Sequence, residues 1–98
     1  MIFDEVDQGV GGAVADAVGR RLKRLAAQSQ VLVVTHSPQI AARAEAHWRV
    51  IKVGDGDRVR AEVEVLTPAA REEEIARMLS GAEITDAARA AARALMHA

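Results

Sequence analysis

The sequence predicts an α/β fold, and three observations support that prediction. Two apolar runs, residues 1–3 and 31–34, each lead into polar or acidic residues. A segment with helical periodicity separates them, so the three together predict a βαβ unit with parallel strands. Farther along, two β-like segments flank a glycine-containing turn and predict a β-hairpin. The chain of 98 residues has the length of one small domain.

The first apolar run introduces a group of carboxylates. Residues 1–3 are fewer than the roughly five residues of a normal strand, so we expect the chain to begin within an element. Asp4 and Glu5 follow at once, and His36 follows the second apolar run in the same way. Ligands of open α/β sheets collect beyond the carboxyl ends of parallel strands. Asp4, Glu5 and His36 are therefore candidates for one shared site.

Between the two strands, Val10 to Ala27 predict a helix. Apolar residues recur there at spacings of three and four, which is typical of a helix with one buried face. Val31 to Val34 is uninterrupted aliphatic sequence and predicts a strand covered on both faces, as in a parallel sheet. The apolar positions of the helix are Val14, Val18, Leu22 and Leu25.

The second half of the chain predicts a hairpin between helices. Ser37 is a candidate N-cap before Pro38, and the helix is expected from Gln39 to Ala46. Residues 47–53 and 58–66 predict the hairpin, with a turn at 54–57 and an alternating, half-exposed second strand. A helix follows from Thr67-Pro68 to about Leu79, and Thr85-Asp86 opens a last alanine-rich helix. The apolar stripe expected on the first of these two helices is Ile75, Met78 and Leu79.

Composition excludes several classes of protein. The formal net charge is −1, so no strong electrostatic footprint for nucleic acid is visible. Cysteine is absent, which excludes disulfides and thiolate metal sites and fits a reducing cytosol. No basic-then-apolar leader and no apolar run near 18 residues occurs, so we expect no export signal and no membrane contact.

The carboxylates and the histidine suggest phosphate chemistry. An acid at the tip of a buried strand can hold Mg²⁺, which keeps much of its water shell and accepts few protein carboxylates. A second acid beside it can act on the water that attacks a nucleotide γ-phosphate, and a nearby histidine can donate a hydrogen bond to the same phosphate. Asp-Glu pairs also follow apolar residues by chance. The glycines at 9, 11 and 12 and the second strand end at His36 favour the catalytic interpretation.

Four segments of the chain together resemble a known family. They are Ile-Phe-Asp-Glu-Val-Asp-Gln-Gly-Val-Gly-Gly at 2–12, Val-Thr-His-Ser-Pro-Gln-Ile-Ala at 34–41, His-Trp-Arg-Val at 47–50 and Glu-Ile-Ala-Arg-Met-Leu-Ser-Gly at 74–81. They are similar to the carboxyl-terminal end of the RecN family, bacterial DNA repair proteins with an SMC-like, ABC-type ATPase head of the P-loop NTPase fold. The resemblance implies that residues 1–98 form one partial domain, the carboxyl-terminal lobe of such a head, starting at the Walker B strand.

The resemblance also implies roles for individual residues. Asp4 corresponds to the Walker B magnesium ligand, Glu5 to the catalytic acid beside it, and His36 to the switch histidine at the γ-phosphate. Asp7 to Gly11 correspond to the D-loop, which crosses to a partner head. The residues that would contact the nucleotide there are Asp7, Gly9 and Gly11.

The family further implies ATP and Mg²⁺ as cofactors and a role in double-strand break repair and recombination. The expected partners are the amino-terminal lobe of the same head, a second head in an ATP-dependent dimer, and DNA. The expected location is the bacterial cytoplasm, at the nucleoid.

The chain departs from the family's complete pattern. It contains no Walker A motif, which requires G-x-x-x-x-G-K-[ST], and Leu79-Ser80-Gly81 lies after Asp4 and Glu5, whereas an ABC signature precedes Walker B. We therefore expect the isolated chain to be inactive as an ATPase. Two alternatives remain open: a non-catalytic interaction module, and a metal-dependent phosphohydrolase that uses Asp4, Glu5, Asp7 and His36.

Overall fold

The structure, a computed structural model, describes residues 1–4 and 11–97, apart from the side chain of Asp55. Helices and strands follow the order that the sequence predicts, with a parallel pair of strands followed by an antiparallel hairpin and two helices. The elements are β1 (Ile2–Asp4), α1 (Gly12–Ala26), β2 (Leu32–Val34), α2 (Pro38–Ala41), β3 (Trp48–Asp55), β4 (Arg58–Val65), α3 (Pro68–Ser80) and α4 (Asp86–Met96).

The β1–α1–β2 unit has the predicted parallel arrangement. Phe3 pairs with Val33, and both side chains are half buried. The opposite face of this two-stranded sheet is uncovered, with Ile2, Leu32 and Val34 between 45% and 75% exposed. The prediction that the second strand is covered on both faces is therefore wrong for this chain, because no described element packs on that side.

The buried face of α1 differs from the predicted one. Ala15 and Gly19 are the buried residues of this helix, whereas Val14 is exposed. Val14, Val18 and Leu22 instead line a shallow apolar cleft shared with Phe3. The small residues are buried because α2 approaches α1 closely there, and hydrophobic periodicity gives no information about that approach.

Helix α2 is shorter than predicted. It ends at Ala41 rather than Ala46, and the Arg71 guanidinium bonds the carbonyls of Ala41 and Ala42, which would accept from the amides of residues 45 and 46 in a longer helix. One nitrogen of Arg71 donates to the carbonyl oxygens of Ala41 at 3.0 Å and Ala42 at 3.2 Å, and also to that of Ala44. A cation suits the carbonyl end of a helix, where the last oxygens have no intrahelical donor.

The hairpin forms with a shorter turn than predicted. Strand β3 continues to Asp55, and the turn is reduced to Gly56 and Asp57. Gly56 has a φ of 64°, the left-handed conformation that a two-residue hairpin loop requires. Strand β4 is exposed along almost its whole length, so it is less covered than the predicted half-exposed strand.

One side of the hairpin is apolar and uncovered. The pairs Trp48–Val65 and Val50–Val63 lie on this side, together with Val59. These five side chains, called here the hairpin apolar face, are 56–71% exposed. A contiguous exposed apolar surface of this kind is typical of an interaction site.

The other side of the hairpin is tied to α3 through charges. Arg49 on β3 donates to Glu64 at 2.8 Å and to Glu74 at 3.2 Å, and Arg77 also donates to Glu74. Glu74 is only 5% exposed. Burial raises its pKa, but the hydrogen bonds from Arg77 and Arg49 outweigh that effect and hold the pKa below the ordinary value. Glu74 therefore remains a carboxylate and fixes the hairpin on α3.

The hydrophobic core lies where α2, α3 and α4 meet. Ile75 is fully buried there, and Met78 packs against the cluster from one side. Leu79, predicted as part of the same stripe, is 37% exposed, because the buried face of α3 runs through Glu74, Ile75 and Ala76 instead. The buried residues of this cluster are Ala41, Ala42, Ile75, Ala76, Ala88 and Ala92.

His47 makes the stability of this region depend on pH. Burial, with the nearby positive charge of Arg71, lowers its pKa below the ordinary 6.5, and its Nδ1 has no hydrogen-bond partner among the described residues. Neutral His47 therefore stabilises the fold above the ordinary pKa, and this stabilisation is lost as the pH falls through the lowered pKa.

We expect the free energy of unfolding to decrease as the pH falls from about 8 to about 5, the range in which histidine titrates. In His47→Gln the decrease should be smaller, because glutamine does not titrate in this range. Urea denaturation at each pH measures the difference. Equal slopes for the parent chain and His47→Gln would contradict this assignment.

Candidate functional site

The candidate site lies at the carboxyl edge of the β1–β2 pair. Asp4 is the last residue of β1 and pairs in register with Val34, the last residue of β2. His36 follows Val34 by two residues, so it leaves the sheet at the same edge. Both Asp4 and His36 are exposed. The parallel register thus places one predicted acid and the predicted histidine at the same edge of the sheet.

The backbone around His36 is held by short-range hydrogen bonds. The Ser37 amide donates to the Thr35 hydroxyl at 2.9 Å, and the Ser37 hydroxyl accepts from the Ile40 amide at 3.4 Å. Ser37 is therefore the N-cap of α2, as its position before Pro38 predicts. It is also buried, although serine is usually exposed. This capped turn determines where the exposed imidazole of His36 emerges.

The other predicted residues lie at or before the start of α1. Gly11 is the N-cap of α1, with an extended backbone and no side chain to cap the helix. Its carbonyl oxygen accepts the first helical hydrogen bond, from the Ala15 amide at 2.9 Å. The predicted residues Glu5, Asp7 and Gly9 lie outside the described residues.

Close packing of α1 against α2 connects the helix that begins after Gly11 with the turn that carries His36. A Cβ on Gly19 would lie 3.2 Å from the Gln39 carbonyl oxygen and 3.3 Å from the Ile40 Cα, so only glycine fits without displacing backbone. Asp16 and Arg43 form an ion pair at 2.9 Å across the same junction, with the Arg43 side chain 11% exposed. This hydrogen bond holds the pKa of Asp16 below its ordinary value.

Sequence reasoning did not single out the residues of this junction. Asp16 and Arg43 are 27 positions apart, and their types are those of ordinary surface residues. The one signal in the sequence is Gly19 inside a helical pattern. Glycine destabilises a helix, so a glycine at such a position usually permits close packing. Gln39, which lies beside Gly12 at the start of α1, gives no such signal.

At this sheet edge, the described groups suited to phosphate chemistry are the exposed Asp4 carboxylate and the exposed His36 imidazole. Mg²⁺ in nucleotide sites is typically held by one or two carboxylates, with water and phosphate oxygens completing the shell, and Asp4 at a strand tip fits that requirement. Among residues 1–4 and 11–97, no three histidine, aspartate or glutamate side chains cluster so as to hold a metal ion.

Within the same residues, no helix has the length and apolar character needed to cross a membrane.

Sequence comparison identifies close relatives of the chain. It is 50% identical over 96 residues to the DNA repair protein RecN of Xylella fastidiosa (strain Temecula1), which is 98% of this chain and 17% of that protein. It is 47% identical over 97 residues to RecN of Rickettsia felis, covering 99% of this chain and 18% of that protein. RecN of Streptomyces coelicolor is 50% identical over 95 residues, 97% of this chain and 17% of that protein. No family model matches the chain.

The chain spans less than one fifth of the length of these curated relatives. The matched region includes the whole candidate edge, since almost no residue of the chain lies outside the alignments. The relatives come from three different bacteria and carry the same name. Across 97–99% of its residues this chain is therefore a homologue of one stretch of RecN, as its motifs predict.

Proposed function

We propose that this chain forms the carboxyl-terminal lobe of a RecN-type ATPase head and supplies the acids and the histidine that act on the ATP γ-phosphate. The observation that carries the proposal is the register of β1 with β2, which brings Asp4 and the His36 turn to one sheet edge. The similarity over almost the whole chain to proteins named DNA repair protein RecN supports a role in DNA repair, and ATP hydrolysis is proposed from the motifs that resemble that family. In this proposal the complete protein acts in DNA repair and recombination, in the cytoplasm at the nucleoid.

Each residue has a stated role in the proposal. Asp4 would hold Mg²⁺ through its carboxylate, and the ion would supply charge neutralisation at the phosphates. Glu5 accepts a proton from the attacking water, and His36 donates a hydrogen bond to the γ-phosphate. The residues that reach the nucleotide of a partner head in the dimer are Asp7, Gly9 and Gly11.

The uncovered apolar surfaces support the assignment of a partner lobe. The hairpin apolar face and the open side of the β1–β2 pair both expose aliphatic side chains that a complete domain would bury. RecN relatives are more than five times longer than this chain, so they contain enough additional sequence to cover both surfaces. We assign that covering to the amino-terminal lobe of the same head, which must also provide the phosphate-binding loop that this sequence lacks.

The proposal is tested in a hybrid RecN, in which this chain replaces the matching segment of the Xylella fastidiosa protein. The hybrid should hydrolyse ATP, and Glu5→Gln should lower turnover by about 10²–10⁴-fold, the usual contribution of a general base. The mutant should also accumulate as an ATP-bound dimer, because glutamine keeps the shape of glutamate but cannot accept the proton. Turnover and mass in solution are the two measurements.

Glu83→Gln provides a matched control, since Glu83 is an exposed acid in the turn between α3 and α4. It should leave turnover unchanged. Normal turnover in Glu5→Gln would refute the role of Glu5. Micromolar ATP binding by the 98-residue chain alone would refute the claim that the phosphate-binding loop lies elsewhere.

A further inference from the structure

We infer that Gln39 is a positioning residue that couples the His36 turn to the start of α1. The inference rests on the proposed function for its catalytic consequence. The coupling itself rests on contacts between described residues. Gln39 touches neither ATP nor Mg²⁺ in this scheme and acts only through His36 and through the first turn of α1.

The side chain of Gln39 lies between the turn that carries His36 and the start of α1. Its Oε1 accepts a hydrogen bond from the Ser37 hydroxyl at 3.0 Å. Its Nε2 lies 3.4 Å from the position that a Cβ on Gly12 would occupy, so the amide nitrogen lies against the first residue of α1. Because the oxygen is held by Ser37, the nitrogen is directed toward Gly12. One side chain therefore spans the gap between the residue after His36 and the residue after Gly11.

Contacts around Gln39 fix the position of its side chain. Ser37 is 7% exposed, and its hydroxyl is also the N-cap of α2, so it cannot turn away without leaving the Ile40 amide unpaired. Deeper in the same junction, Gly19 and the Asp16–Arg43 ion pair hold α2 against α1. These deeper contacts set the distance between the helices. Gln39 sets the relative position of their amino-terminal ends, which are the ends nearest the candidate site.

A consequence for the reaction follows from the chain connectivity. The segment from Glu5 to Gly11 joins Asp4 to α1, and His36 directly precedes Ser37. A change in the position of the first turn of α1 is therefore transmitted through Gln39 to the turn that carries His36. Loss of the coupling should slow the chemical step without changing how tightly ATP binds, because the phosphate-binding loop lies outside this chain.

The catalytic test uses the hybrid RecN and two substitutions of similar size. Gln39→Leu removes the hydrogen bond from Ser37 and the amide nitrogen beside Gly12, and it should lower kcat for ATP hydrolysis by about tenfold with KM nearly unchanged, as expected when a transition-state contact is lost. Gln39→Glu keeps the acceptor for Ser37, and its second oxygen faces the uncapped start of α1, where a negative charge is favourable. It should restore kcat to within about twofold of the parent. Gln28→Leu, at an exposed position after α1, is the control.

Wild-type kcat in Gln39→Leu, equal defects in the leucine and glutamate variants, or a defect that appears only in KM would each overturn the inference. A second readout is independent of catalysis: hydrogen exchange in the 98-residue chain. Gln39→Leu should accelerate exchange of the Ser37 and Ile40 amides and of the Ala15 amide, the first paired amide of α1, and unchanged exchange at all three would also overturn it. If the parent hybrid lacks ATPase activity, the proposed function fails, while the exchange experiment still decides the coupling.

Discussion

Replacing Ile75 with alanine should cost about 2–5 kcal/mol of the free energy of unfolding, the usual penalty for truncating a fully buried aliphatic side chain. Ile75 has no exposed surface and lies at the junction of α2, α3 and α4. The buried residues around it include several alanines, which offer few atoms that could move in to fill the cavity. The loss is large compared with the total stability of a small domain, about 5–15 kcal/mol.

Urea denaturation followed by the helical circular dichroism signal measures this loss. Leu79→Ala is the matched control, because Leu79 lies one helical turn away on α3 and is 37% exposed. It should cost clearly less than Ile75→Ala, since more than a third of the Leu79 surface already contacts water whereas Ile75 has no exposed surface. Equal losses for the two substitutions would mean that the core is not centred on Ile75.

Replacing Gly19 with valine should separate α2 from α1. A Cβ at this position would lie 3.1 Å from the Arg43 Cγ and within 3.3 Å of two backbone atoms of α2, so the helix itself must move to admit a side chain. Overpacking of this kind costs about 1–3 kcal/mol. The displacement should also release the Asp16–Arg43 ion pair, and with it the capped turn next to His36.

Hydrogen exchange of the amides from Ser37 to Ala42 reports on this junction directly. We expect faster exchange there in Gly19→Val, together with a lower urea midpoint. Ala17→Val places the same β-branched residue at an exposed position of α1, and it should leave exchange in α2 unchanged. Protection of α2 equal to that of the parent chain in Gly19→Val would contradict the close approach of the two helices.

Much of the fold was predictable, because local signals determine the type of each element. The strand–helix–strand order, the N-cap Ser37, the hairpin and the helix starts at Thr67-Pro68 and Thr85-Asp86 all follow from short sequence patterns, and the structure confirms them. The parallel register was predictable for the same reason, since it follows from two apolar runs joined by one helix. Asp4 and His36 then lie at one edge of the sheet because β1 and β2 both end at that edge.

The features that could not be predicted depend on contacts between residues that are far apart in the sequence. The buried face of α1 was assigned to its large apolar residues, but close helix packing selects Ala15 and Gly19. The length of α2 depends on Arg71, about thirty residues away. The roles of Glu5, Asp7 and Gly9 remain predictions, because these residues lie outside the described part of the chain.

Arg71 also has a consequence for the order in which the molecule folds. A helix as short as the four residues of α2 does not persist alone in water, since a single turn barely repays the cost of nucleation. Its carbonyl end is completed by a side chain that is synthesised about thirty residues later and carried by α3. The turn that holds His36 should therefore become ordered only after α3 docks, so the candidate site is among the last parts of the chain to mature.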